Sequence, residues 1–209
     1  FKDSLRAQPA GETLGTLRLC GIYDWTSGFF PGSLWYIYEF TGNEEVKAEA
    51  NNYTGLLNPI REYTGTHDLG FMMNCSYGNA LRLSPADTIP AVLVETADNL
   101  CSRFDEGVGC ILSWDFGHWN YPVIIDNMMN LELLTYSAKL FGADSLVDMS
   151  IKHAQTTMNN HFRDDYSCYH LVDYDPETGE VLRKATVQGY ADESAWARGQ
   201  AWAVYGYTM

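Results

Sequence analysis

Apolar residues recur at helical spacing in one stretch after another, and this recurrence limits the fold more than any single motif does. Between Pro85 and Arg103, the residues Ile89, Val92, Leu93, Ala97 and Leu100 line one face of an amphipathic helix. Pro31 stands where a helix can open, and Leu34, Trp35, Ile37, Tyr38 and Phe40 continue it as a stripe up to Gly42. Residues 44–57 read as a second helix with Val46, Ala50, Tyr53 and Leu57 inside. Another run follows Asp68, from Leu69 to about Leu81. Pro122 leads into a helix reaching Phe141, and residues 144–162 form the next. A last helix starts near Ser194 and meets no stop signal before Met209. That makes about seven helices, paired as hairpins, and predicts an all-α architecture.

Two stretches depart from the pattern. Residues 1–28 read as irregular, broken by Pro9, Gly11, Gly15 and Gly21. At 166–187, Tyr169, Leu171 and Val172, then Asp175-Pro176-Glu177-Thr178-Gly179, then Val181, Leu182 and Val187 predict a β-hairpin. Gly179 supplies the positive φ that such a turn favours. The segments richest in reactive and aromatic residues (24–33, 65–70, 113–126 and 188–202) fall at helix entrances. If the hairpins close into a ring, those entrances gather at one mouth.

Composition narrows the partners. The net charge of −14 disfavours nucleic acid and anionic membranes. No apolar run approaches the ~20 residues of a membrane span. Aromatic residues make up 14% of the chain, an excess suited to flat ligands such as sugars, although large cores also consume them. Cys20, Cys75, Cys101, Cys110 and Cys168 form no CxxC pair and read as reduced thiols. The five histidines lack an HxxxH spacing, which disfavours a metal site, and no phosphate-cradling glycine loop is present, so no cofactor is expected. Asn52-Tyr53-Thr54 and Asn74-Cys75-Ser76 match the glycosylation triplet, a pattern short enough to arise by chance.

Two carboxylates stand out by position. Asp68 sits at a helix start, where an aspartate is also an ordinary N-cap worth about 1 kcal/mol. Asp126 is read one turn into a helix, where the dipole alone would favour a carboxylate by roughly 0.3–1 kcal/mol. The dipole does not account for Asn130 on the same face within a run of Ile, Met and Leu, because buried polar groups cost stability unless satisfied or used. Paired carboxylates divide acid and base work when their environments separate their pKa values. An indole wall helps this, and Trp114 and Trp119 are candidates for it. Asp24, Asp115 and Asp192 compete for such roles on composition alone. Near the end of the chain, Arg198 and Trp202 lie four residues apart on one helix face, a planar cation beside an aromatic plate suited to an acidic sugar.

Four blocks occur in order: Asp24-Trp25-Thr26-Ser27-Gly28-Phe29-Phe30-Pro31-Gly32-Ser33-Leu34-Trp35, His67-Asp68-Leu69-Gly70-Phe71, Asp126-Asn127-Met128-Met129-Asn130 and Arg198-Gly199-Gln200-Ala201-Trp202. Together they resemble the unsaturated glucuronyl hydrolases of glycoside hydrolase family 88, over nearly the whole chain. The resemblance implies an (α/α)6 barrel, a toroid of six helical hairpins. Residues 1–209 would then be a single catalytic domain, an incomplete N-terminal portion of the ring truncated at both ends, with one β-hairpin inserted. It implies an enzyme that removes 4,5-unsaturated glucuronic acid from the non-reducing end of lyase-generated oligosaccharides. The reaction there is hydration of a vinyl ether: a carboxyl group protonates C4, water adds at C5, and the hemiketal falls apart. The carboxylate-spacing rule for retention or inversion does not transfer to that chemistry.

Carried onto this chain, the resemblance makes Asp126 the general acid/base and Asp68 the second carboxylate, which holds sugar hydroxyls and tunes Asp126. His170 and Gln188 match positions near the reacting double bond, and Trp25, Arg198 and Trp202 match positions that line the pocket. The implied partners are unsaturated uronic-acid oligosaccharides, in a bacterial periplasm or cytoplasm; the oligomeric state stays open. The related unsaturated rhamnogalacturonyl hydrolases, which act on pectin fragments, are the nearest alternative. A non-catalytic carbohydrate-binding α/α toroid is a further one, as is a helical-repeat scaffold, although no period of 20–50 residues is visible.

Overall fold

The computed structural model describes residues 20–209 and the backbone of a short antiparallel pair, β1 (Gln8–Pro9) with β2 (Leu17–Arg18). The irregular chain expected over residues 1–28 falls largely outside the described residues. Two compact units are present: the chain up to Tyr63 with Asp68–Ala97, and Thr64–His67 with Asp98–Met209.

In the first unit, α1 (Phe29–Thr41) and α2 (Glu44–Leu56) form an antiparallel hairpin. Gly42 ends α1 in the left-handed region (φ 65°), its N–H donating to the Tyr38 carbonyl at 2.7 Å. One residue later, Asn43 caps α2 by accepting from the Glu45 and Val46 amides at 2.8 and 3.3 Å. Trp35 is fully buried, and its indole N–H donates to Thr54 Oγ1 at 3.0 Å, so the polar end of a large apolar side chain is satisfied inside the hairpin. A 3-10 turn (Asn58–Glu62) follows, then a π-helical stretch (Gly70–Gly78) running into the short α3 (Asn79–Leu83). The helix expected from Leu69 to Leu81 is therefore real but wound wider over most of its length. Gly28 lies where a Cβ would come within 2.2 Å of the Met72 carbonyl, so α1 starts against the π-helical backbone only because this residue is glycine. Helix α4 (Ile89–Cys101) carries the stripe read from the sequence, and the division between the units falls within it.

The second unit sets helices against a small sheet. Helices α5 (Asn127–Phe141) and α6 (Asp144–His161) form a hairpin turned at Gly142 (φ 67°), and α7 (Ala197–Thr208) packs on α5. Strands β3 (Phe104–Asp105) and β4 (Cys110–Ile111) pair antiparallel. Strands β6 (Leu171–Tyr174) and β7 (Val181–Ala185) are the expected hairpin, with Gly179 at φ 73° in its turn.

The sheet has a third strand, β5 (Pro122–Ile124), which pairs with β6 in the register Val123↔Val172. This corrects the reading of Pro122 as the opening of a helix. Proline tolerates the first position of a strand, and Val123 and Ile124 are buried β-branched residues suited to a sheet. The correction shifts Asp126 as well. It occupies the N-cap position of α5 rather than a place one turn inside, and its side chain makes no capping hydrogen bond.

Candidate active site

Strand β5 delivers Ile125 and Asp126 to the start of α5, where the Ile125 amide donates to the His170 carbonyl at 2.9 Å. His170 immediately precedes β6, so this bond fixes the two segments side by side. Asp126 is 6% exposed and His170 2%, with Asp126 Oδ2 and His170 Nε2 3.7 Å apart. Burial, helped by the Arg198 guanidinium and His67, pushes the His170 pKa down to about 4. His170 is therefore a neutral imidazole beside a buried carboxyl group at neutral pH.

The indole next to this pair is Trp196, its ring centroid 4.7 Å from that of His170 and the rings at 61°. The Arg198 guanidinium lies 4.3 Å from the Trp196 ring centroid and donates from Nη2 to Gln188 Oε1. Four predicted site residues, Asp126, His170, Gln188 and Arg198, thus belong to one connected set, joined by an indole that was not singled out. Trp202 stands one turn further along α7, half-buried. Gly199 lets α7 approach closely, because a Cβ there would meet the Trp196 ring at 2.7 Å and Ile125 at 2.9 Å.

Trp114 and Trp119 pack over Ile124, Leu171 and Ala185 on the sheet, with ring centroids 6.5 Å apart. Arg183 covers Trp119 at 3.9 Å and donates to His118, whose ring stacks on the same indole. In the first unit, Trp25 makes edge contacts with Phe29 and Phe71 at 5.9 and 5.5 Å, and Asp24 closes the preceding turn by accepting from the Thr26 amide and hydroxyl. Asp68 is half-buried, and its carbonyl accepts from the Met72 amide at 3.1 Å.

A buried polar network supports the Asp126 corner. Asn127 is fully buried; its amide nitrogen donates to the Ile111 carbonyl at 2.8 Å and to Ser113 Oγ at 3.1 Å. With that nitrogen donating, Oδ1 is the acceptor, and His67 Nδ1 approaches it at 2.7 Å, so His67 donates from Nδ1. Asn130 adds a second donor at 3.3 Å. The polar face noted around Asn130 is thus satisfied by hydrogen bonds that hold the residue following Asp126.

Two further histidines lie inside this unit. His153 accepts from the Ile111 amide at 3.0 Å, and His161 bonds the Val123 carbonyl at 3.0 Å. Burial lowers their pKa values to about 3 and about 4. The unfolded chain takes up protons on these groups below its ordinary value of ~6.5, whereas the folded chain does so only near 4 and below. Between those limits the unfolded state binds more protons, so stability falls as the pH falls. With His170 included, the slope is on the order of 1 kcal/mol per pH unit per histidine. We expect the urea midpoint to drop steadily from pH 6.5 to 4.5; a flat profile across that window would contradict the neutral buried imidazoles.

All five cysteines are free thiols. Among the described residues no cluster of three or more His, Cys, Asp or Glu could hold a metal ion, and no helix is long and apolar enough to cross a membrane.

No protein-family model matches the sequence. Individual proteins do. The unsaturated glucuronyl hydrolase of Formosa agariphila is 47% identical over 189 residues, 89% of this chain and 47% of that protein. The unsaturated chondroitin disaccharide hydrolase of Streptococcus pyogenes is 37% identical over 89% of this chain and 48% of its own length. A crystal structure of an unsaturated glucuronyl hydrolase specific for heparin superposes with a TM-score of 0.92 at 51% identity, covering 99% of this chain and 54% of that one. This chain belongs to the unsaturated glucuronyl hydrolases. Its fold class is accordingly the (α/α)6 toroid expected from the sequence blocks. It spans about half the length of the curated family members it matches. The connected set from Asp126 to Arg198 joins a buried carboxyl group, an imidazole, an indole, a carboxamide and a guanidinium.

Proposed function

We propose that the protein removes 4,5-unsaturated glucuronic acid from the non-reducing end of oligosaccharides by hydrating the vinyl ether, with glycosaminoglycan fragments as the substrate class. The observation that carries this reading is the buried Asp126 carboxyl group beside a neutral His170, flanked by the Arg198–Gln188 pair. In the proposed reaction the Asp126 carboxyl proton passes to C4 as the C4=C5 electron pair forms the new C–H bond. A water oxygen bonds C5, and a proton from that water returns to the Asp126 carboxylate. The C5 hemiketal opens by breaking its bond to the ring oxygen. C1 is left as a hemiacetal that expels the neighbouring sugar, and one water is consumed overall.

Arg198 is proposed to hold the substrate carboxylate, offsetting its charge within an acidic protein. Trp25, Trp202, Trp114 and Trp119 are proposed to present aromatic faces to the sugars, and the family resemblance assigns Asp68 the second carboxylate's role. The 47% identity to a glucuronyl hydrolase supports this reading over the pectin-directed alternative.

The test uses protein of the family's full length and follows the near-ultraviolet absorbance of the substrate double bond. The panel is unsaturated disaccharides from heparin, chondroitin, hyaluronan and rhamnogalacturonan. Absorbance loss on a glycosaminoglycan member is expected, whereas loss on the rhamnogalacturonan member alone would overturn the assignment. In the same assay Arg198→Ala is expected to raise KM by roughly 10–100-fold, the cost of one lost charge-assisted pair, with a smaller change in kcat. An unchanged KM would remove Arg198 from carboxylate binding.

A further inference from the structure

The turn between β7 and α7 dictates where the proton sits on His170. The Val187 amide donates to His170 Nδ1 at 2.9 Å, and the Gln188 amide approaches the same atom at 3.3 Å. Backbone amides only donate, so Nδ1 must present its lone pair. A neutral ring then carries its single proton on Nε2, the atom that faces Asp126 Oδ2 at 3.7 Å. The geometry points to the Thr186–Asp192 turn as a tautomer clamp, with Asp192 as its positioning residue, that holds His170 as an Nε2–H donor aimed at the Asp126 carboxyl group. This deepens the functional reading above and rests on it.

The clamp is built from short, specific bonds. Asp192 Oδ1 accepts from the Thr186 amide at 2.8 Å, and Thr186 Oγ1 accepts from the Gly189 amide at 2.8 Å. Those two bonds occupy the amides on either side of Val187 and Gln188, leaving the middle pair directed at the imidazole. Glycine is required at 189, since a Cβ there would lie 2.6 Å from Thr186 Oγ1. The Asp192 carbonyl accepts from Arg163 Nη2 at 3.2 Å, which ties the far end of the turn down. Gln188, at the middle of the turn, reaches Arg198, so one backbone conformation sets both the imidazole and the carboxylate-binding guanidinium.

The chemical consequence is directional. An Nε2–H imidazole donates a hydrogen bond and cannot accept a proton at that atom. His170 can therefore stabilise an oxygen anion on Asp126 or on the substrate, while removal of a proton from the attacking water falls to Asp126. Apo distances of this kind commonly tighten when substrate binds.

The test reads the tautomer directly. Full-length protein labelled with 15N-histidine is observed by NMR near neutral pH, and the His170 signals are assigned by their loss in both His170→Asn and His170→Gln. The expected result is an unprotonated Nδ1 and a protonated Nε2. A protonated Nδ1 on His170 would overturn the inference whether or not the protein turns over substrate, whereas inactivity on every panel member with the predicted tautomer would sink the functional reading alone. Asp192→Ala is expected to mix the tautomers and lower kcat about five-fold with little change in KM, the scale of one net hydrogen bond. Asp192→Asn keeps an oxygen acceptor and is expected to restore both readouts. Equal tautomer spectra in wild type and Asp192→Ala would remove Asp192 from the clamp.

Discussion

Replacing Asp126 by asparagine is expected to lower kcat about a thousand-fold, the usual scale for loss of a general acid, while the unfolding midpoint moves little. The fold tolerates the change because the Asp126 side chain makes no capping bond to α5, and the amide has the carboxylate's size and shape. His170 Nε2–H still finds a carbonyl oxygen in the position it faces. Only the exchangeable proton is lost. Steady-state kinetics beside a urea titration would check both halves. A variant within about three-fold of the native kcat would show that the proton comes from elsewhere, a margin well inside the 10²–10⁴ range for such groups.

The second large effect is on stability. Asn127→Leu is expected to cost about 3 kcal/mol, because several partners of one buried amide lose it together. The Ile111 carbonyl and Ser113 hydroxyl lose a donor, and His67 and Asn130 lose an acceptor, all in the interior. Leucine also adds an apolar branch where the amide was planar. Since Asn127 follows Asp126 directly, kcat should fall with the stability, and denaturant unfolding would measure the first effect separately. A change below about 0.5 kcal/mol would place the network among the exposed, replaceable ones.

Why the helices were legible while parts of the site were not follows from the range of the interactions involved. Helices α2, α5 and α6 and the β6–β7 hairpin follow from short-range periodicity and from Gly42 and Gly179, which sit where left-handed backbone is needed. Strand β5 escaped because three buried residues show no alternation, and its partner β6 lies almost fifty positions away in sequence. The π-helical stretch escaped because its apolar residues look like those of any buried helix. At the candidate site, Asp126, His170, Gln188 and Arg198 were proposed from the family blocks and positions, and the structure brings them into one connected set. Trp196 was passed over in favour of Trp202 because the last helix was read from Ser194, whereas Trp196 is an extended residue just before α7. The amides of Val187 and Gln188 gave no signal at all, because every residue except proline carries the same donor. Asp192 was placed among competing carboxylates, and its observed partner is a backbone amide.

In the proposed reaction the protein acts on the double bond, not on the glycosidic bond alone. The most direct measurement compares a matched pair of disaccharides, one with the 4,5-unsaturated uronic acid and one with its saturated counterpart, and follows release of the second sugar by chromatography. Release is expected from the unsaturated member only, since protonation at C4 requires the vinyl ether. Comparable release from both would contradict it and make the protein an ordinary glycosidase.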